Sequence, residues 1–235
     1  MAGAAIAIAG LRYAWPGTHE AVLDLPALDI AASDQVFVQG ASGCGKSTFL
    51  GLVAGVLVAG RGQVRVAGVD WAGLAPSERD ARRAATLGVI FQQFNLLPYL
   101  SVVDNVLLPC RLSASRAGRC EGGMLAQARR LLARMGLPEP AWTRPAARLS
   151  VGQQQRVAAA RALIGGPDLV LADEPTSALD SDTRDRFMAL LREQCTAVGS
   201  TLVFVSHDRR LAQGFDRVVD LPALNRVAPT AAEVA

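Results

Sequence analysis

Lysine is almost missing from this chain. Of its 24 lysines and arginines only Lys46 is a lysine. Where a cation merely has to be a cation the sequence uses arginine, so the single compact ammonium marks a place where a point charge on a flexible stem is required. The four cysteines, Cys44, Cys110, Cys120 and Cys195, form no C-x-x-C pair and no metal-ligand spacing. That excludes a zinc module or a disulfide scaffold and fits a reducing compartment. No stretch approaches the roughly 18 uninterrupted apolar residues of a membrane span. The apolar start, Met1 to Gly10, has no positively charged segment and runs straight into Leu11-Arg12-Tyr13. It reads as a first strand, Ala5 to Ala9, rather than as a signal peptide. A soluble or peripheral protein is expected. The net charge of +3 is too small to imply nucleic-acid binding, and the arginines between Arg111 and Arg148 are expected on a solvated helix surface. There are no internal repeats.

What is present starts at Gly40-Ala41-Ser42-Gly43-Cys44-Gly45-Lys46-Ser47-Thr48. This is G-x-x-x-x-G-K-[ST] with an apolar run, Gln35 to Gln39, before it and a helix-forming run, Lys46 to Ala54, after it. A strand, a glycine turn and a helix N-terminus together make an anion cradle. The glycines permit positive φ and close backbone approach, so successive N–H groups can face phosphate oxygens. Lys46 reaches the outer phosphates and the Ser47 hydroxyl can ligate magnesium.

Elsewhere the chain alternates strands and helices. Short apolar runs between residues 5 and 39 read as strands. Gly62 to Gly68 is an alternating strand, Ser77 to Ala85 a charged helix, and Leu87 to Phe91 a buried strand ending at Gln92-Gln93. Between Phe94 and Leu149 the character turns helical, with helices over Ser101 to Leu108 and Met124 to Met135. In the second, Leu125, Leu131, Leu132 and Met135 favour one face, and Gly136 and Pro138 end it. The polar link Ser113 to Gly123 is expected to be a mobile loop. The core resumes with a strand at Asp168 to Ala172, a helix at Ser181 to Val198 and a strand at Thr201 to Val205 before Ser206-His207-Asp208. The tail after Asp220 is expected to be loosely held. This order predicts an α/β fold with a parallel sheet whose ligand lies at the strand C-terminal ends.

Two further stretches carry chemistry. Leu169-Val170-Leu171-Ala172 closes with Asp173-Glu174, which puts one carboxylate where it can hold magnesium and the next where it can polarise a water for attack on a γ-phosphate. Ser150 and Gly152, in Leu149-Ser150-Val151-Gly152-Gln153, open a helix of strong formers and offer a second N-terminal anion site. One nucleotide does not need two such sites in one chain; a head-to-tail dimer would use both.

Taken together these motifs resemble those of the ATP-binding cassette (ABC) ATPases, along essentially the whole chain and in the family's order. They are the phosphate loop, Gln92 at a strand end, the signature Leu149–Gln153, Asp173-Glu174, Ser177-Ala178-Leu179-Asp180 and His207. The resemblance implies a P-loop (RecA-like) core at 1–94 and 151–235, an N-terminal antiparallel β subdomain, and an inserted helical lobe at about 95–150. It implies ATP and Mg2+ as cofactors, with the loop Gly40, Ala41, Ser42, Gly43, Cys44, Gly45, Lys46, Ser47 and Thr48 of one copy facing Ser150, Gly152 and Gln153 of another. Asp180 would lie across the dimer interface. Ser47, Gln92 and Asp173 would hold the metal, with Gln93 the alternative to Gln92. Glu174 would be the catalytic base, with His207, Lys46 and Gln92 assisting at the γ-phosphate. Tyr13 would stack on adenine, although Trp15 lies close enough to compete. Val151 replaces the glycine more usual in the signature. Phe91 to Pro98 and Ser101 to Val106 look most like the bacterial lipoprotein-release and macrolide-export type. The implied partners are a second copy and a membrane permease met at Phe94, Leu96, Leu97, Pro98 and Tyr99, with no nucleic acid. The implied place is cytoplasmic, peripheral on the inner face of the inner membrane. A regulatory cassette that controls cell-wall enzymes through a transporter-like partner is the alternative.

Overall fold

The computed structural model describes residues 3–177 and 180–227. Ala178 and Leu179 of the Ser177–Asp180 run, and the part of the tail beyond residue 227, lie outside the described residues. In chain order the elements are β1 (Ala4–Ala14), β2 (Ala21–Ala31), β3 (Gln35–Gln39), α1 (Lys46–Val53), β4 (Val64–Val66), β5 (Val69–Asp70), α2 (Pro76–Thr86), β6 (Leu87–Ile90), α3 (Val102–Leu112), α4 (Ala114–Gly118), α5 (Met124–Arg134), α6 (Val151–Leu163), β7 (Leu169–Asp173), α7 (Ser181–Ala197), β8 (Thr201–Ser206), β9 (Arg217–Asp220) and α8 (Leu221–Leu224). The chain divides into two compact units, residues 1–80 with 203–235, and residues 81–202.

The first unit holds an antiparallel sheet in the order β2-β1-β4-β5. The short apolar runs read from the sequence fuse here into two strands of 11 residues. Their buried positions pair as Ile6 with Ile30, Ile8 with Leu28, Leu11 with Leu25 and Tyr13 with Leu23. The alternation slips by one residue in both strands at once, where Gly10 (φ +56°) stands opposite Pro26. Proline cannot donate to the ladder, and β2 is the edge strand where that is tolerated. In the same unit β3 pairs parallel with β9, Val36 with Arg217 through Gln39 with Asp220. Phe37, Phe204 and Phe215 pack with ring centroids 5.4 to 6.0 Å apart. The segment after Asp220 is not loose up to residue 227. Asn225 accepts from the Asp24 N–H at 2.8 Å and donates to the Val22 carbonyl at 3.0 Å, which pins it to β2.

In the second unit β6 and β7 pair parallel, Leu87 with Leu169 through Ile90 with Ala172. Helix α6 packs with α3, α5 and α7, and Gly88 lies so close to the Ala162 carbonyl that a Cβ there would overlap it. The segment Ser113 to Gly123 is not the mobile loop that its polarity suggests. It contains α4, and Arg116 within it is 1% exposed. The Arg116 guanidinium donates to the carbonyls of Leu87 at 2.8 Å, Ala162 at 2.7 Å and Ile164 at 2.9 Å. A cation gathering the last carbonyls of α6 satisfies groups that the helix leaves unpaired and sits at the favourable end of its dipole. Burial pulls its pKa down to about 10, so it stays charged at neutral pH. One arginine of the expected solvated cluster is therefore a core residue. The fold is α/β, with a parallel sheet, an antiparallel β subdomain and a helical lobe. Among the described residues no helix is long and apolar enough to cross a membrane.

Candidate functional site

The phosphate loop forms in the first unit as the sequence predicts. β3 ends at Gln39, and α1 starts at Lys46 after Gly45, whose φ of +94° is left-handed. Gly45 gives α1 no side-chain cap, and a helix start of this kind is a place where an anion can bind. A Cβ on Gly40 would overlap the Cys44 sulfur and lie 3.0 Å from Pro222. Only glycine lets the backbone run this close, so the loop depends on it. Lys46 is 7% exposed, and its Nζ donates to the Gly40 carbonyl at 2.9 Å and the Ala41 carbonyl at 2.7 Å. The ammonium is thus held inside the loop. Ala41, Ser42, Gly43 and Ser47 are exposed, Cys44 is half-buried and Thr48 is buried.

Two other predicted residues belong to this unit. Tyr13 is buried at 8% exposure and its ring meets that of Trp15 edge-on, centroids 5.8 Å apart. Trp15 is 44% exposed, so of the two rings it is the one with a free face. His207 is exposed directly after β8, where Ser206 accepts from the Asp208 N–H at 3.1 Å.

The second unit carries the remainder. Asp173 is the last residue of β7 and half-buried, and Glu174 follows at φ +41°. A non-glycine residue in that region is strained, and such strain gathers at functional sites. Gln92 and Gln93 are exposed just beyond β6, which ends at Ile90, one residue earlier than the apolar run Leu87 to Phe91 suggests. Ser150 is the N-cap of α6. Its hydroxyl accepts from the Gln153 N–H at 3.4 Å, and the Gln153 side chain accepts from the Ser150 N–H at 3.1 Å, a complete capping box. Gly152 is half-buried, and Val151 is 49% exposed. Asp180 caps α7 by accepting from the Thr183 N–H at 3.0 Å, and those hydrogen bonds lower its pKa.

Of the apolar residues flanking Gln92, Phe94 is buried, while Tyr99 is 74% and Phe91 42% exposed. The backbone from Leu97 to Ser101 is held by Asn105, fully buried on α3. It accepts from the Leu97 N–H at 2.8 Å and donates to the carbonyls of Leu97 and Ser101 at 3.0 and 3.1 Å. Sequence reasoning missed Asn105, Gln155 and Arg161. All three contact backbone carbonyls, which leave no pattern in the sequence. The one available signal was an amide or guanidinium placed among apolar helix positions.

Residues 23–177 match the family model for the ABC transporter domain. The chain is 40% identical over 223 residues to the macrolide export ATP-binding/permease protein MacB of Chromobacterium violaceum, a match covering 94% of this chain and 34% of MacB. It thus spans about a third of the length of its MacB relatives. It is 38% identical over 224 residues to the lipoprotein-releasing system ATP-binding protein LolD of Xanthomonas campestris pv. campestris, covering 94% of this chain and 92% of LolD. Among solved structures, the dimeric post-hydrolysis state of the ATP-binding cassette MJ0796 bound to ADP and Pi matches with a TM-score of 0.77 at 31% identity, covering 92% of this chain and 95% of that one.

Proposed function

We propose, since this chain belongs to the ABC transporter family, that it is the ATP-hydrolysing, nucleotide-binding subunit of a bacterial transporter. Two copies close head-to-tail over ATP and drive a separate membrane permease, in export, lipoprotein release or mechanotransmission. The observation that carries this reading is the single lysine, buried in a glycine-built loop with its ammonium on two loop carbonyls. A phosphate oxygen is a stronger partner than either carbonyl, so Lys46 is poised to exchange them for nucleotide.

The residues take the following roles. Gly40 to Thr48 bind the phosphates through backbone N–H groups, and Lys46 neutralises the outer ones. Ser47, Asp173 and Gln92 offer a hydroxyl, a carboxylate and an amide oxygen, the hard donors that Mg2+ accepts beside phosphate and water. The metal, when bound, supplies charge neutralisation during phosphoryl transfer. Glu174 takes the proton of the attacking water, and His207 and Gln92 orient that water and the γ-phosphate. Trp15, with Tyr13 beneath it, gives the adenine a face to stack on. Ser150, Gly152 and Gln153 of the second copy close the phosphates from the other side, with Asp180 at the interface. The exposed Phe91 and Tyr99 are the apolar contacts offered to a permease at the cytoplasmic face of the inner membrane.

Replacing Glu174 by Gln tests the base. ATP still binds, turnover falls by at least about a hundredfold, and size-exclusion chromatography shows a dimer that persists with ATP. Turnover at the parent rate in that variant refutes the assignment.

A further inference from the structure

Helix α6 grips two loops of the second unit at once. Gln155 is 1% exposed, and its Nε2 donates to the Pro175 carbonyl at 2.9 Å. Pro175 directly follows Glu174, the residue held at φ +41°. About 9 Å further along the helix axis, Arg161 donates from Nη1 to the Asn95 carbonyl at 2.7 Å and from Nη2 to the Phe94 carbonyl at 2.5 Å. Phe94 and Asn95 are successive non-glycine residues at φ +60° and +48°. Side chains disfavour that conformation, so it persists only where surrounding contacts impose it. Within the turn their own N–H groups reach only Phe91 and Gln93. The imposing contact is the guanidinium, whose planar fork spans two neighbouring carbonyls as a lysine ammonium would not. Burial pulls the Arg161 pKa below the ordinary arginine value, as expected of a cation that has exchanged water for those carbonyls.

We propose that Gln155 and Arg161 are positioning residues that make α6 the common carrier of the Ser150 cap, the Glu174 turn and the Gln92 loop. The hydrogen bonds of Gln155 and Arg161 then fix where the Glu174 turn and the Gln92 loop sit against α6. The proposal rests on the roles given above to Glu174 and Gln92.

Gln155→Met keeps volume and removes the donor; Arg161→Lys keeps charge and removes the fork. Each lowers kcat by between about ten- and a hundredfold while KM for ATP stays within about twofold, because neither residue belongs to the phosphate loop. Hydrogen exchange read by mass spectrometry adds a local readout. It rises at Phe94 and Asn95 in Arg161→Lys and around Ser177 in Gln155→Met, whereas the amides of α6 keep their protection. Unchanged kcat in both variants overturns the proposal. So does exchange that rises throughout α6, which marks residues that only hold the fold together. Glu174→Gln and Gln92→Ala are measured in parallel. If those two keep full turnover, the underlying assignment fails and the positioning roles with it. If they lose turnover while Gln155→Met and Arg161→Lys do not, the positioning roles alone fail.

Discussion

At the scale of single residues, burial decides what the four thiols can do. Cys195 is fully buried and Cys110 nearly so, and burial pushes both thiols up to about 12. Cys44 is half-buried in the phosphate loop. A thiol-alkylating reagent near pH 8 is therefore expected to modify Cys44 well before the others, to abolish ATPase activity, and to be slowed by ATP. Peptide mass spectrometry beside an activity assay checks this, and full activity after complete labelling of Cys44 contradicts it. The same burial has a pH consequence. The Cys195 thiol ionises from 9.0 in the unfolded chain and about 12 in the folded one. Between those values the folded state keeps a proton that the unfolded state has lost, so stability falls as pH rises through that window. Cys195→Ala is expected to flatten the alkaline limb of the Tm-against-pH curve. Residues proposed to meet ligands are legible in the sequence, because motif spacing records them: Lys46, Ser150 and Glu174 each stand in a motif. Arg116 stands in none. A solvated arginine and one bound to carbonyls read alike, since carbonyls occur at every position.

At the scale of elements, α6 has a device at each point along its length. Ser150 and Gln153 close its start, Gln155 and Arg161 hold flanking loops, and Arg116 gathers its last carbonyls. The helix itself was plain in the sequence from its cap and its strong formers, and so were most strands from their apolar runs. Where elements were misjudged, a local slip was the cause. β1 and β2 looked like several short strands because Gly10 and Pro26 shift the alternation in both partners together. Ser113 to Gly123 looked mobile because α4 is only five residues long and Arg116, its one charged side chain, is buried. Ser150 has two roles, cap and phosphate contact, and substitution separates them. Ser150→Ala costs about 1 kcal/mol of stability as the cap is lost. Ser150→Asp preserves the cap and stays within about 0.5 kcal/mol of the parent, yet its carboxylate repels phosphate and turnover collapses. Urea denaturation beside the ATPase assay checks both. An Asp variant that remains fully active leaves Ser150 as a cap only.

At the scale of the molecule, the phosphate loop and the signature are expected to serve different sites. If each site takes Gly40–Thr48 from one copy and Ser150–Gln153 from the other, two inactive variants can rescue one another. In a Lys46→Ala protein the loop is dead and the signature intact; in a Ser150→Asp protein the reverse holds. A mixed dimer pairs the two dead elements at one site and the two intact elements at the other. Equal mixing makes about half of all dimers mixed, each with one working site of two, so roughly a quarter of parental turnover should return if the sites act independently. A site completed within one chain gives no rescue at any ratio, because every chain then carries a defect. The assay needs only the two purified variants, ATP, Mg2+ and a phosphate readout. The measured return separates a shared site from an internal one, and a value near zero overturns the head-to-tail dimer while leaving ATP binding by the loop untouched.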